Sequence, residues 1–300
     1  QIVIEKSAVR TDGTTFTDRD VHKFLRSKGI DNPKGEWFRC SDATANSAIQ
    51  FILHIHEISA HILDNKYTGE CAFTKSYENL VRIYFHTKET KVFTIGPILQ
   101  EFVKIFPRFI LGQPHDAQDA IFCIIDILEK SYPYIKELIY GETKQITISP
   151  VGKNITQIPF CIHILNMEKD VKDVNTMIQE SNKWNTIEDY IDNKGKKHHV
   201  ATTRNIFSKY PKIFLISFDK KSFVKIDEEL KIENNVYKLR STIIHKGIQY
   251  GGHYMSITNL GDDWLIQDDD KLGKLNHFPK EDNHFILAYS LKIPSSEYLP

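Results

Sequence analysis

The chain has 300 residues, 41% apolar and 26% charged, and its 39 basic side chains are balanced by 39 acidic ones. A formal net charge of zero argues against the basic field of a nucleic-acid binder or of a protein held on an anionic membrane. No apolar run reaches the ~18 residues needed to span a bilayer. The composition is that of a globular protein with one large core or two smaller ones.

The N-terminal QIVIEKSAVR lacks a starting Met and a basic-then-apolar signal, and reads as the edge of a trimmed or processed piece. Cys40, Cys71, Cys123 and Cys161 are scattered, with no C-x-x-C spacing. Neither a structural zinc site nor a redox motif is expected, and a reducing intracellular compartment, cytoplasmic or nuclear, fits them. Thr17 to Lys28 reads as a short helix stopped by Gly29. A longer helix is predicted from Ala43, with an apolar stripe at Phe51, Ile52, Ile55, Ile58 and Ile62. Gln118 to Ser131 repeats that periodicity. After Tyr140 the texture changes to β-branched runs: KQITIS, KIFLISF and YKLRSTIIHKG. Asn166 to Ser208 is polar with weak periodicity and reads as an exposed excursion. The fold class is α+β, helices first and an antiparallel sheet after.

The segment from Gly251 to Asp270, GGHYMSITNLGDDWLIQDDD, reads as a hairpin turning at NLGDD. A turn centred between Leu260 and Gly261 sets His253 directly opposite Asp268, ~5 Å apart. A histidine held by a carboxylate is two thirds of a nucleophilic triad. The third member belongs at a helix N-terminus, where backbone N–H groups and the dipole lower a thiol pKa and bind an oxyanion. SDATANSAIQ offers such a start, with Asp42 as N-cap and Ala43 as the first helical residue. Ala43 has no chemistry. Cys40 is a rival nucleophile, but it precedes the cap and reads as an incidental thiol.

In these blocks the chain resembles the ubiquitin-specific proteases, a family of deubiquitinating cysteine peptidases. Asn46, Ser47 and Gln50 match the family's T-C-Y-x-N-S-x-x-Q box, and its nucleophile falls on Ala43. Gln118, Asp119 and Ala120 match the start of Q-D-A-x-E-F. PKIFLISF, residues 211 to 218, loosely echoes the family's P-x-x-L strand. Tyr237, Leu239, His245, Gly247, Gly252, His253, Tyr254, Trp264, Asp268 and Asp269 follow its His box, and Ala288 to Leu291 its closing strand. The resemblance implies a papain-like thumb, fingers and palm in one catalytic domain, residues 1–300. Residues 1–140 would form a mainly helical thumb. Residues 141–208 would form shortened, zinc-free fingers, and residues 209–300 the β palm carrying His253 and Asp268. It also implies a thiol isopeptidase without cofactor or metal, acting on ubiquitin or a ubiquitin-like modifier as a monomer. Asp42 and Asp269 would lie beside the oxyanion region, and Gly251, Gly252, Tyr254 and Trp264 would line the channel for a Gly-Gly tail.

The departures carry information. The oxyanion Asn five residues before the nucleophile is Phe38 here, and the Gln box puts Phe122 and Cys123 where the family has Glu and Phe. Ala43 reads as an engineered Cys-to-Ala change or as the mark of a natural pseudoprotease that scaffolds ubiquitin. Retention of His253, Asp268 and Gly252 favours the first. Asp262, Asp263 and Asp270 are candidate partners for arginines of a modifier's tail, but such runs are usually solvated. His54, Glu57 and His61 share a helix flank without completing H-E-x-x-H, and read as a polar helix edge rather than a metal set. His198 and His199 sit in a basic run that reads as a solvated loop, and His245 as a strand-end residue.

Overall fold

The computed structural model describes residues 41–86, 95–109, 115–166, 173–192, 194–218, 224–248, 251–261, 263–268, 271–280 and 283–292. The expected helix at Thr17 to Lys28, together with Phe38 and Cys40, lies outside these residues. The chain divides into two compact units, one of residues 1–135 with 241–278 and one of residues 136–240 with 279–300.

The first unit opens on α1 (Ser41–Leu53) and α2 (His56–Asp64). The sequence predicted one uninterrupted helix here. The stripe is buried as expected, Phe51, Ile52, Ile55, Ile58 and Ile62 all being closed to solvent, but the backbone turns at His54–Ile55. Two side chains explain the break. His54 Nδ1 donates to Gln50 O at 2.7 Å, and Ser59 Oγ donates to Leu53 O at 2.6 Å. The serine takes a carbonyl that a continuing helix would have used, while Gln50 O keeps the bond from His54 N and gains the imidazole's. The turn carries the stripe onward in a new direction.

Helix α3 (Ala72–His86) and α4 (Gly96–Ile105) follow, then α5 (Ala117–Ser131). Arg82 on α3 closes α2 from the side. It donates to Ile62 O at 3.2 Å and Leu63 O at 3.1 Å, and its Nε reaches Glu78 Oε1 at 2.8 Å. Phe73, Tyr77, Val81, Phe102, Ile121, Ile124 and Leu128 fill the space between these helices and α1. The unit's strands are the end of β8 (Asn235–Ile248, from Ser241), β9 (Gly251–Leu260), β10 (Asp263–Asp268) and β11 (Lys271–Leu275), adjacent and antiparallel in that order.

The second unit takes α6 (Tyr134–Ile139) from Lys136 onward and then β1 (Gly141–Ser149), β2 (Gly152–Phe160) and β3 (Ile162–Leu165). After them come α7 (Val174–Ser181), β4 (Asn185–Ile191), β5 (Lys197–Lys209), β6 (Ile213–Phe218), β7 (Glu229–Ile232), the start of β8, and β12 (His284–Leu291). One antiparallel sheet has the order β2-β1-β5-β4. The stretch read as an irregular excursion supplies α7 and two of these strands. Its period-2 signal is hidden because β4 is solvated along most of its length and β5 is only intermittently buried. The other strands place β6 between β12 and a parallel β3. Phe214, Leu215, Tyr237, Leu239, Leu287 and Tyr289 form its core. Two of the largest buried hydroxyls there are satisfied, Tyr237 OH by Pro211 O and Tyr289 OH by Asp227 O, each at 2.7 Å.

Candidate active site

The site residues come from α1, β9 and β10 of the first unit. The hairpin register differs from the expected one. Asp263 pairs with Leu260, Trp264 with Asn259 and Gln267 with Ser256. The turn therefore falls between Leu260 and Asp263, one position later than predicted. Gly261 adopts φ +85°, the positive φ that a two-residue hairpin turn demands and glycine supplies. Gly261 N also donates to Asn259 Oδ1 at 3.1 Å. With this register Asp268 is the diagonal neighbour of His253 rather than its direct partner.

The pair forms nonetheless. His253 Nε2 is hydrogen-bonded to Asp268 Oδ1. Diagonal residues on one face stay within reach of long or aromatic side chains, and an imidazole spans the gap. His253 is 8% exposed. The residue directly opposite it on β8 is Lys246, which is exposed. The bond to Asp268 occupies Nε2, so Nδ1 is the ring nitrogen that would exchange a proton with a nucleophile.

Position 43 lies in the first turn of α1, which begins at Ser41. Asp42 is thus inside the helix as it stands, not at its cap, and the side chains of Asp42 and Ala43 lie outside what is described. One turn on, Ser47 Oγ donates to Tyr254 O at 2.9 Å. That bond ties α1 to β9 at the residue after His253. Residues four apart share a helix face about 6 Å apart along the axis, so position 43 is on the face that meets β9. Thr44 Oγ1 donates to His115 O at 3.3 Å, just before α5.

Gly251 and Gly252 sit in β9, paired with Ile248 and Gly247. Tyr254 is buried. Its ring packs edge-on against His245, which is also its strand partner, with centroids 4.6 Å apart. Burial first, then the nearby Asp116 charge, pushes the Tyr254 phenol well above its ordinary pKa, against a smaller opposing pull from the Ala117 backbone N–H. Trp264 is buried against Phe278 at 4.5 Å. Ser256 Oγ donates to Gln267 Oε1 at 2.7 Å and braces β9 on β10. Asp269, Asp262 and Asp270 lie outside the described residues, and Asp263 pairs with Lys274 at 2.7 Å.

The remaining candidates have partners of their own. His54 has both ring nitrogens engaged, the second by Tyr84 OH at 2.8 Å. Burial lowers its pKa to about 4, so it is neutral and accepts from the tyrosine. His61 Nδ1 meets the Asn65 amide at 3.2 Å. His198, read as part of a solvated loop, is buried and bonded to Asp192 Oδ2 at 2.9 Å. That bond first, then the Lys196 N–H, holds Asp192 down at about 2. Cys123 is buried on α5 with Arg108 Nη2 3.1 Å from its sulfur, and burial raises its thiol pKa. It borders a surface pocket of about 300 Å³ with Ile105, Pro107, Phe122 and Asp126, which includes neither His253 nor Asp268.

Sequence reasoning missed Thr44, Ser47 and the start of α5 as parts of the site's frame. One signal was available, since Asp116 just before Gln118-Asp119-Ala120 is an N-cap whose Oδ1 accepts from Gln118 N at 2.8 Å.

Among curated protein sequences none matches the chain. The chain is similar to the solved SAGA DUB module Ubp8/Sgf11/Sus1/Sgf73 bound to monoubiquitin, whose Ubp8 carries a cysteine-to-alanine change. The identity is 15% and the TM-score 0.74, over 94% of this chain and 78% of that one. It is similar to the same module bound to ubiquitin aldehyde, at 15% identity and a TM-score of 0.71 over 94% and 78%. It also resembles the yeast module with a mutant Sgf73, at 14% identity and 0.71 over 94% and 77%. The likeness shows the fold, an α+β papain-like peptidase of the ubiquitin-specific protease type. The profile of the family described as ubiquitin carboxyl-terminal hydrolase matches residues 39–289. That span takes in α1, the His253–Asp268 hairpin and most of β12, and the chain belongs to the ubiquitin carboxyl-terminal hydrolase family in its ubiquitin-specific protease form.

Proposed function

We propose that this chain is a deubiquitinating thiol isopeptidase domain whose nucleophile position is filled by Ala43. In its cysteine form it would cleave after the C-terminal Gly-Gly of ubiquitin or a ubiquitin-like modifier. The observation that carries this reading is the His253–Asp268 pair on a strand tied through Ser47 to the helix bearing position 43. Ubiquitin-bound forms of the similar Ubp8 module support the choice of substrate class.

With a cysteine at 43, the thiol proton would pass to Nδ1 of His253 and the sulfur would attack the carbonyl carbon of the terminal glycine. Asp268 holds the tautomer that leaves Nδ1 as acceptor and steadies the imidazolium that forms. Collapse of the tetrahedral adduct breaks the C–N bond, and the leaving lysine amine takes the proton back from the imidazolium. Water then hydrolyses the thioester, with His253 again the base. As it stands the chain has no sulfur at 43 and would hold a conjugate without cutting it. We read the alanine as an engineered replacement. Ala43 itself favours a second reading, a natural pseudoprotease that binds ubiquitin and scaffolds other proteins.

Restoring the nucleophile tests this. Ala43→Cys should release the reporter from a ubiquitin C-terminal amide, and His253→Ala should abolish that release. Tight ubiquitin binding without turnover after Ala43→Cys would leave the scaffold reading. Running ubiquitin beside other ubiquitin-like modifiers identifies the preferred one. The same reading places the protein inside the cell, in cytoplasm or nucleus, acting as a monomer.

A further inference from the structure

Two hydrogen bonds fasten the start of α1 to its neighbours beside the site. Thr44 Oγ1 on α1 donates to His115 O, at 3.3 Å, in the segment entering α5. Ser47 Oγ on α1 donates to the Tyr254 carbonyl at 2.9 Å. Tyr254 is itself held, its ring wedged on His245 from the neighbouring strand.

We propose that Ser47 is a positioning residue that sets the distance between the nucleophile position and His253. This rests on the isopeptidase reading. Its bond lands on the main chain of the residue after His253, so it acts through the strand rather than by touching substrate. Ser47 and Tyr254 are both buried, and the bond joins residues far apart in sequence. A proton transfer of this kind depends on placement to a fraction of an ångström. Losing the bond would let α1 slide against β9 while the core beneath stays packed.

The test uses Ser47→Ala in an Ala43→Cys background, which removes only a hydroxyl. Turnover of a ubiquitin C-terminal reporter should fall at least tenfold in kcat, with KM changed less than twofold. A second readout needs no ubiquitin: alkylation of the introduced thiol by iodoacetamide below pH 7, where the rate depends on a thiolate paired with His253. It should slow severalfold in Ser47→Ala. Unchanged kcat or unchanged alkylation would each overturn the proposal. If Ala43→Cys turns over no reporter, the isopeptidase reading fails, and the alkylation rates still decide the positioning role of Ser47.

Discussion

Acid should loosen the far end of α1. His54 sits fully buried one turn after Gln50, donating to it through Nδ1 and accepting from Tyr84 through Nε2. Burial lowers its pKa from the ordinary 6.5 to about 4, against a smaller opposing pull from the Gln50 carbonyl. Below pH 6.5 the unfolded chain takes up a proton that the folded chain refuses until about pH 4. Stability from this group is therefore complete above that window and falls as pH drops through it. Full titration would remove about 3 kcal/mol, at 1.36 kcal/mol per pKa unit. Between pH 7.5 and pH 5 the loss is about 2 kcal/mol by the same linkage. The assay is urea unfolding at those two pH values for the parent chain and for His54→Gln, which keeps a donor and an acceptor but does not titrate. The parent should lose about 2 kcal/mol more than the variant. Equal losses would show that His54 charges in place without opening the helix end, and the reasoning would be wrong.

Other consequences are as concrete. In an Ala43→Cys background, Asp268→Asn should cut kcat by about 10²- to 10⁴-fold with the fold intact, because the tautomer of His253 is then no longer fixed; circular dichroism and reporter kinetics check both halves. His163 lies against Phe160, Phe207 and Phe214 at 5.2, 5.2 and 5.7 Å, its Nε2 finds no partner among the described residues, and burial lowers its pKa to about 4. His163→Phe should therefore raise stability by about 1 kcal/mol at pH 5, read as a higher urea midpoint; a lower midpoint would refute it. Arg82→Ala leaves the buried Glu78 carboxylate and two helix-end carbonyls without their cation. It should cost about 3 kcal/mol, and a loss under about 1 kcal/mol would mean water replaces the guanidinium. Gly261→Ala forces a Cβ into φ +85° and should cost about 1 kcal/mol, measured by the same unfolding assay.

Much of the site could be read from residue order, because its parts are local patterns. The stripe from Phe51 to Ile62 named a buried face whatever its path, and the hairpin announced itself by two strand-like runs around a glycine. What escaped was set by three-dimensional context. The turn at Gly261 lies one residue later than composition indicates, since Asn259 and Asp263 are turn formers as good as their neighbours, and only φ distinguishes them. The helix break at His54 depends on Ser59 and Tyr84, which no periodicity connects. Strands β4 and β5 vanished into polar sequence because solvent wets most of their length, so alternation carries little hydrophobic contrast. The Thr44 and Ser47 bonds were invisible for a plainer reason: their partners are backbone carbonyls, which every residue has. Helices α3 and α4 were not predicted although apolar positions of both are buried, and Pro97 opens α4 rather than ending it.

The skeleton of the site is anchored by Thr44, Ser47 and His54, and each of these anchors is separate from the atom that would perform chemistry. Reactivity and grip are thus independent traits in this architecture. Under the isopeptidase reading, a single exchange at residue 43 would switch cleavage off or on while the frame around it keeps its shape, so an enzyme and a receptor would lie one substitution apart.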